Sequence, residues 1–500
     1  MSIATTYTAQ VSGVGATIIT IETDISNGLH AFSIVGLGDR AVEESKDRIA
    51  AAIKNSGFVS PKQKNQKVVI SLAPADLRKE GPVFDLGMAM AYLFAAGEIN
   101  FKAQEKLFLG ELSLEGNIRP INGTLTMVQA AKNAGFKEIY LPKENASEAA
   151  LISNIMIYPA GSLREVICHI LETKKIRLQP LTLLPSQPHR NTDTFEKITG
   201  QENAKRALEI AAAGRHTVVM CGPPGTGKTM LAKALRSILP PLSHNEALEV
   251  TAIHSIANNI DGNILVEAPF RAPHHTSSYT SLVGGGGNMH LGEITLAHKG
   301  ILFLDEFPEF DRRVIDSLRQ PLEEKKITIT RARGSITYPA DCMLVAAMNP
   351  CPCGNLYTDD LQQQCICTDG EIIRYKKKIS GPIADRVDIW IPVFKVSVAM
   401  MVANSSGSIS EKSNTLESSE LIRKRIEKGL EFKKSRGSGG ATLSSEVHEV
   451  LIHFSEKLHL SGRGYHRALR VARTIADLDQ SMEIKKNHIL EALQYRQRDF

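Results

Sequence analysis

Aromatic residues are scarce in this 500-residue chain, which has a single Trp and 5% Phe, Trp and Tyr combined. So few rings argue against a base-stacking surface as the main binding mode. No run of eighteen apolar residues occurs, so no membrane-spanning helix is expected. Residues 1–20 lack a basic stretch followed by an apolar core, so no secretory signal is read and a cytoplasmic location is expected. Seven cysteines in such a chain do not suggest a disulfide framework. Neither charge dominates: 59 Lys and Arg face 54 Asp and Glu, a net charge of +5. That balance permits contacts to nucleic-acid phosphates without demanding them. The length suggests about three domains.

The richest stretch is Gly222-Pro223-Pro224-Gly225-Thr226-Gly227-Lys228-Thr229, which fits the phosphate-loop pattern G-x-x-x-x-G-K-[ST] at every fixed position. An apolar strand pattern, Thr217–Cys221, precedes it, and helical composition, Met230–Leu235, follows. Glycines let backbone N–H groups turn toward phosphate oxygens at a helix N-terminus. Lys228 is expected to reach the β- and γ-phosphates of ATP, and Thr229 to ligate Mg²⁺. Ile301–Leu304 reads as a buried strand ending in Asp305 and Glu306. Asp305 is expected in the Mg²⁺ shell and Glu306 as general base for water. A third apolar strand, Cys342–Met348, ends in Asn349, placed to orient the lytic water.

With these motifs the chain resembles the AAA+ ATPases, most closely the magnesium-chelatase-like branch and, within it, the ComM/YifB family. The phrases Pro269–Thr276, Gly292–His298, Asn349-Pro350-Cys351-Pro352-Cys353-Gly354 and Ser380–Asp388 carry the likeness beyond the loop. The resemblance implies an α/β fold: a P-loop core with a helical lid, plus an amino-terminal domain similar to the Lon-protease-like, ribosomal S5 domain-2 fold. It implies that Arg386 is an arginine finger on a neighbour's nucleotide and that Arg463 is the sensor-2 arginine. Arg467 and Arg470 follow on one helical face and rank lower. A finger in trans implies a homo-oligomeric ring, a hexamer in this family. The implied activity is an ATP-driven DNA helicase that promotes branch migration in recombination and natural transformation, acting on single-stranded or branched DNA. The rival reading is a protein- or cofactor-remodelling motor of the magnesium-chelatase type.

The expected organisation is residues 1–172 as the Lon-like domain, 173–193 as linker, 194–400 as the ATPase core, 401–420 as a mobile loop and 421–500 as the lid. Phe195–Ala213 reads as an entry helix. In the first domain, Ala41–Ser56 and Leu125–Ala134 read as helices, and Val68–Leu72 and Glu138–Pro142 as strands. Lon-type proteolysis needs a Ser directly after Gly81-Pro82 and a Lys in the later helix. Val83 and the lysine-free Leu125–Met127 stand there, so the domain reads as non-proteolytic.

Cys351, Cys353, Cys365 and Cys367 form two close pairs suited to a structural tetrathiolate Zn²⁺ site. Cys168, Cys221 and Cys342 read as buried apolar residues. Lys326–Pro339 alternates as a hairpin with a basic turn. Lys325, Lys326, Arg331 and Arg333 are its candidate DNA-phosphate contacts. His274 and His275 have no acidic or Cys partner at metal-ligand spacing and read as polar contacts.

Overall fold

The computed structural model describes residues 3–183, 193–257, 264–286, 290–331, 334–356, 364–396, 417–437, 445–458 and 460–496. Most of the loop expected at 401–420 and the second half of the linker lie outside them. The chain divides into two compact units, residues 1–186 with 244–266, and residues 187–243 with 267–500.

The first unit begins with strands β1 (Ala4–Ser12), β2 (Gly15–Asn27), β3 (Ala31–Val35) and β4 (Gln66–Ala73), in sheet order β1-β2-β4-β3. The two β2 pairings are antiparallel and β3 runs parallel to β4. Period-two alternation turns Val68, Ile70 and Leu72 of β4 inward. The helix Arg40–Asn55 opens on an Asp39 side chain that accepts from the Val42 N–H at 2.9 Å, and it buries Val42, Ile49 and Ile53. A second sheet of parallel strands β5 (Lys106–Phe108), β6 (Glu138–Pro142) and β7 (Met156–Ala160) packs with the helix Thr124–Asn133 around Leu107, Val128 and Ile139. The two helices and two strands expected in this region are present, with ends moved by a residue or two.

Helix Asp85–Ala95 is buried over nearly its whole length, and its first residue is a fully buried carboxylate. Arg48 meets Asp85 bidentately, with Nε donating to Oδ2 at 2.8 Å and a terminal nitrogen to Oδ1 at 3.2 Å. The Leu112 N–H donates to the same carboxylate at 3.2 Å. Burial nevertheless keeps the Asp85 carboxyl above its usual range, against the pull of Arg48. Stability from this group is therefore fully present below the ordinary carboxylate range and is lost as pH rises from there through its raised folded-state pKa. Arg48→Met removes the only cation bonded to Asp85 among the described residues and is expected to destabilise the fold by about 3–5 kcal/mol. Urea denaturation checks this, and a loss below about 1 kcal/mol would rule out the uncompensated-charge account.

The segment 244–266 departs from a contiguous 194–400 core, because it belongs to the first unit. Its helix His244–Ile256 sets Leu248 and Ala252 against the Thr124–Asn133 region. The Gly123 N–H donates to Ser255 Oγ at 3.0 Å, and the buried Glu148 carboxylate takes the Leu125 N–H at 3.0 Å and the Ser255 hydroxyl.

The second unit holds strands β8 (Val218–Cys221), β9 (Phe270–Arg271), β10 (Ile301–Leu304), β11 (Lys326–Arg331), β12 (Gly334–Pro339), β13 (Met343–Met348) and β14 (Ile389–Pro392). Five of them form an all-parallel sheet, β9-β10-β13-β8-β14. The runs of β8, β10 and β13 are buried at every residue, as expected of strands covered on both faces. Parallel register sets Cys221 beside Met348 and Leu304 beside Ala346, so the loops after these strands leave from one sheet edge. The expected entry helix is interrupted. A turn at Phe195–Lys197 is separated from helix Glu202–Gly214 by Gly200 and Gln201, both left-handed with φ of 65° and 62°. The carboxy-terminal region is helical, Ser419–Arg436, Ser445–Lys457, Gly462–Leu478 and Lys486–Gln494, packed through Ile422, Ile426, Val471 and Ile475.

Candidate active site

The loop Gly222–Thr229 leaves the carboxyl end of β8 and enters helix Lys228–Ile238. Gly225 and Gly227 are left-handed, φ 74° and 87°. At Gly222 a Cβ would stand 2.1 Å from the Val393 carbonyl oxygen, so no side chain fits there. The buried Lys228 ammonium donates to the Gly222 and Pro223 carbonyls at 2.7 and 2.8 Å and to Asn349 Oδ1 at 3.2 Å. Burial lowers its pKa, partly offset by Asp305. The Thr229 hydroxyl donates to Asp305 Oδ2 at 2.7 Å. Lys228, Thr229, Asp305 and Asn349, read from three separate motifs, thus meet at one sheet edge. A hydroxyl beside a carboxylate is the hard-oxygen pair that Mg²⁺ takes, and a buried ammonium at the start of helix Lys228–Ile238 suits phosphate.

Glu306 adopts the left-handed region with φ 51°, a conformation costing about 1–2 kcal/mol outside glycine. Asp305 Oδ1 accepts its N–H at 3.0 Å. Its carboxylate lies 2.9 Å from His275 Nδ1. Sequence reasoning set His275 aside for want of a nearby acid; its partner comes from a different part of the chain.

Arg386 lies on the turn after the short helix Gly381–Ala384, and its side chain is only 15% exposed. Its guanidinium bonds the Glu323 carboxylate and the Pro382 carbonyl. The same turn is gripped from the lid, where Arg467 donates to the Ala384 and Val387 carbonyls at 3.0 and 2.7 Å. Arg470 donates to Asp388 at 2.8 Å, and Asp388 pairs with His216, which in turn meets Thr474 at 2.8 Å. Burial opposes the charge on Asp388, but the His216 bond and the Arg470 charge hold its carboxyl below the usual range. Arg467 and Arg470 therefore brace the turn that carries Arg386. Arg463 is exposed in the first turn of the same helix.

The four clustered cysteines converge, with all Sγ atoms within 4.8 Å of one another. Cys351 to Cys353, Cys351 to Cys365, and Cys353 to Cys365 are 3.4, 3.7 and 3.6 Å apart. Four thiolates about 2.3 Å from a tetrahedral metal would stand about 3.8 Å from one another. Burial works against ionising Cys353, but the Asn355 and Ile366 amides donate to its sulfur and hold the thiol down at about 6. Of the other cysteines Cys221 is buried, its thiol pushed up to about 11, whereas Cys168 and Cys342 are only partly buried.

The hairpin expected at Lys326–Pro339 forms with register Arg331↔Gly334. Lys325 and Lys326 sit at its base, with Lys325 3.2 Å from Asp341 and Lys326 3.6 Å from Glu324. Arg331 pairs with Gly334 at the other end of the ribbon. Arg333 lies outside the described residues. In the first unit the Gly81-Pro82-Val83 turn carries no hydroxyl, and the buried Lys79 ammonium donates to the Pro74 carbonyl.

Among the described residues no helix is long and apolar enough to cross a membrane. Family models for "Magnesium chelatase, subunit ChlI" match residues 194–401, for "Subunit ChlI of Mg-chelatase" residues 21–145, and for "Magnesium chelatase, subunit ChlI C-terminal" residues 416–496. The uncharacterized protein YifB of Salmonella typhimurium is 40% identical across 99% of this chain and 97% of its own length. The competence protein ComM of Haemophilus influenzae is 39% identical across 99% and 98%. The magnesium-chelatase 67 kDa subunit of Heliobacterium mobile is 29% identical over 32% of this chain and 28% of its own. The sheet order, the phosphate loop and these near-full-length likenesses agree, and the chain belongs to the ComM/YifB family of magnesium-chelatase-like AAA+ ATPases.

Proposed function

We propose that this protein is an ATP-driven DNA motor that moves branched DNA, working as a homohexameric ring with ATP at subunit interfaces. The observation that carries the ATPase part is the meeting of Lys228, Thr229, Asp305 and Asn349 at one sheet edge. Gly222–Thr229 holds the ATP phosphates through backbone N–H groups and Lys228. Thr229 and Asp305 hold Mg²⁺, which supplies charge neutralisation on the phosphates. Glu306 takes the proton of the attacking water, and Asn349 orients that water. Arg386 of a neighbouring subunit neutralises charge developing on the transferred phosphoryl group, and Arg463 contacts the nucleotide from the lid. Cys351, Cys353, Cys365 and Cys367 hold a structural Zn²⁺. The DNA part is supported by near-full-length likeness to a protein named for competence and by the basic hairpin Lys326–Pro339.

ATP hydrolysis measured with and without single-stranded and forked DNA, at two salt concentrations, tests it. Stimulation that weakens with salt is the expected result, because phosphate contacts release counterions. Hydrolysis indifferent to every DNA would instead favour a remodelling motor, the reading supported by the likeness to a magnesium-chelatase subunit.

His275 acts here as a positioning residue for Glu306. His275→Ala is expected to lower kcat by up to about tenfold with ATP affinity unchanged, since only the aim of the base is lost. An equal change in ATP affinity would show that His275 contacts nucleotide instead.

A further inference from the structure

We propose that the metal held by Cys351, Cys353, Cys365 and Cys367 is a strut for the nucleotide pocket, so that metal occupancy controls ATP affinity. This rests on the zinc reading given above and goes beyond it, from a local brace to a determinant of nucleotide binding.

Both halves of the cysteine site are tied to the same few atoms of the pocket. On the first half, Cys351 follows Asn349 by two residues, and Asn349 Oδ1 is bonded to the Lys228 ammonium. The Met348 carbonyl, just before it, accepts the Gly222 N–H at 3.2 Å, so the same strand end fixes where the phosphate loop begins. Gly354, left-handed at φ 84°, lies against the loop itself. A Cβ there would stand 2.7 Å from Pro224 Cδ and 3.9 Å from Asn349 Cγ. The knuckle backbone is thus a wall of the phosphate loop.

On the second half, Cys365 and Cys367 lead into the helix Asp369–Lys376, which opens on a capping box between Thr368 and Glu371. That helix carries Tyr375, whose buried hydroxyl faces the Asn349 backbone. A tetrathiolate metal therefore ties together two chain segments that each reach Asn349. Without it, the covalent route between Cys353 and Cys365 is the chain itself, a sequence separation of 12, and the freedom that the cross-link removed returns to the turn. Pro224 then loses its wall and Asn349 its second support. Displacement of a positioned group by about 1 Å can cost on the order of 10²-fold. Metal uptake itself releases the thiol protons to solvent and needs no oxidant or reductant.

The test uses the full-length protein and separates the metal from its effect. Metal content is read by atomic absorption, and affinity by titrating a fluorescent ATP analogue with Mg²⁺ present. Wild type is expected to hold about one Zn²⁺ per chain. The double variant C365S/C367S is expected to hold none and to bind the analogue roughly tenfold or more weakly while keeping its far-ultraviolet circular dichroism. G354A is expected to keep its metal and still lose affinity, because the added methyl presses on Pro224. A folded, metal-free double variant with wild-type affinity overturns the strut. If the double variant does not fold, G354A decides: metal retained with unchanged affinity also overturns it. Wild type that contains no metal, and gives no thiolate charge-transfer band with Co²⁺, overturns the zinc reading itself. That outcome is distinct from a metal that is present and without influence.

Discussion

Arg386→Ala is expected to lower ATP turnover by about 10³–10⁵-fold while leaving ATP binding intact. The size follows from the job assigned to it: a permanently charged guanidinium contributes most where charge develops in the transition state and little in the ground state. In the single chain this group is folded onto Glu323 and the Pro382 carbonyl. The Glu323 carboxylate it leaves is half-exposed and regains water when the pair opens, which limits the cost of release. A neighbour's γ-phosphate, more highly charged and sheltered from water, is a stronger partner. Mixing decides whether the arginine acts in trans. Arg386→Ala subunits have an intact phosphate loop but no finger, and Lys228→Ala subunits have the reverse. Mixed rings should regain hydrolysis that neither variant has alone. Failure to complement, together with a lowered melting temperature for Arg386→Ala, would make Arg386 a brace for its own turn.

Glu306→Gln is expected to reduce turnover by about 10²–10⁴-fold, with ATP affinity and assembly retained. Gln keeps the size and left-handed backbone requirement of Glu306, and its carbonyl can still accept from His275, so the fold around it should persist. What it cannot do is take a proton from water. Single-turnover hydrolysis and nucleotide binding, measured on the same preparation, separate the two effects. Turnover within about tenfold of wild type would move the base elsewhere.

The meeting of Lys228, Thr229, Asp305 and Asn349 at one sheet edge draws on motifs that are each legible because each is local. The phosphate loop is eight consecutive residues, and the acidic and amide positions each end an apolar run of strand length. The hairpin Lys326–Pro339 was legible for the same reason, since Ile-Thr alternation reports a two-sided ribbon. The entry helix was read too long because its apolar spacing continues through Gly200 and Gln201, where the backbone turns left-handed. The helix His244–Ile256 joins the core of the first unit, a choice that its own local sequence does not reveal.

Short patterns in the chain settle the chemistry on offer: a phosphate loop, two carboxylates and an amide at strand ends, four clustered thiols, and candidate arginines. Such patterns are informative because backbone geometry over a few residues depends largely on those residues. Which groups face one another is settled by the fold. Arg386 and Glu323 are 63 residues apart, and His216 and Asp388 are 172 apart. His275 against Glu306, Tyr375 under Asn349 and Gly354 against Pro224 likewise exist only once the sheet order β9-β10-β13-β8-β14 brings their loops to one edge. Ion pairs and close packing depend on distance in space, and one chain spacing is compatible with many such distances until the sheet has formed.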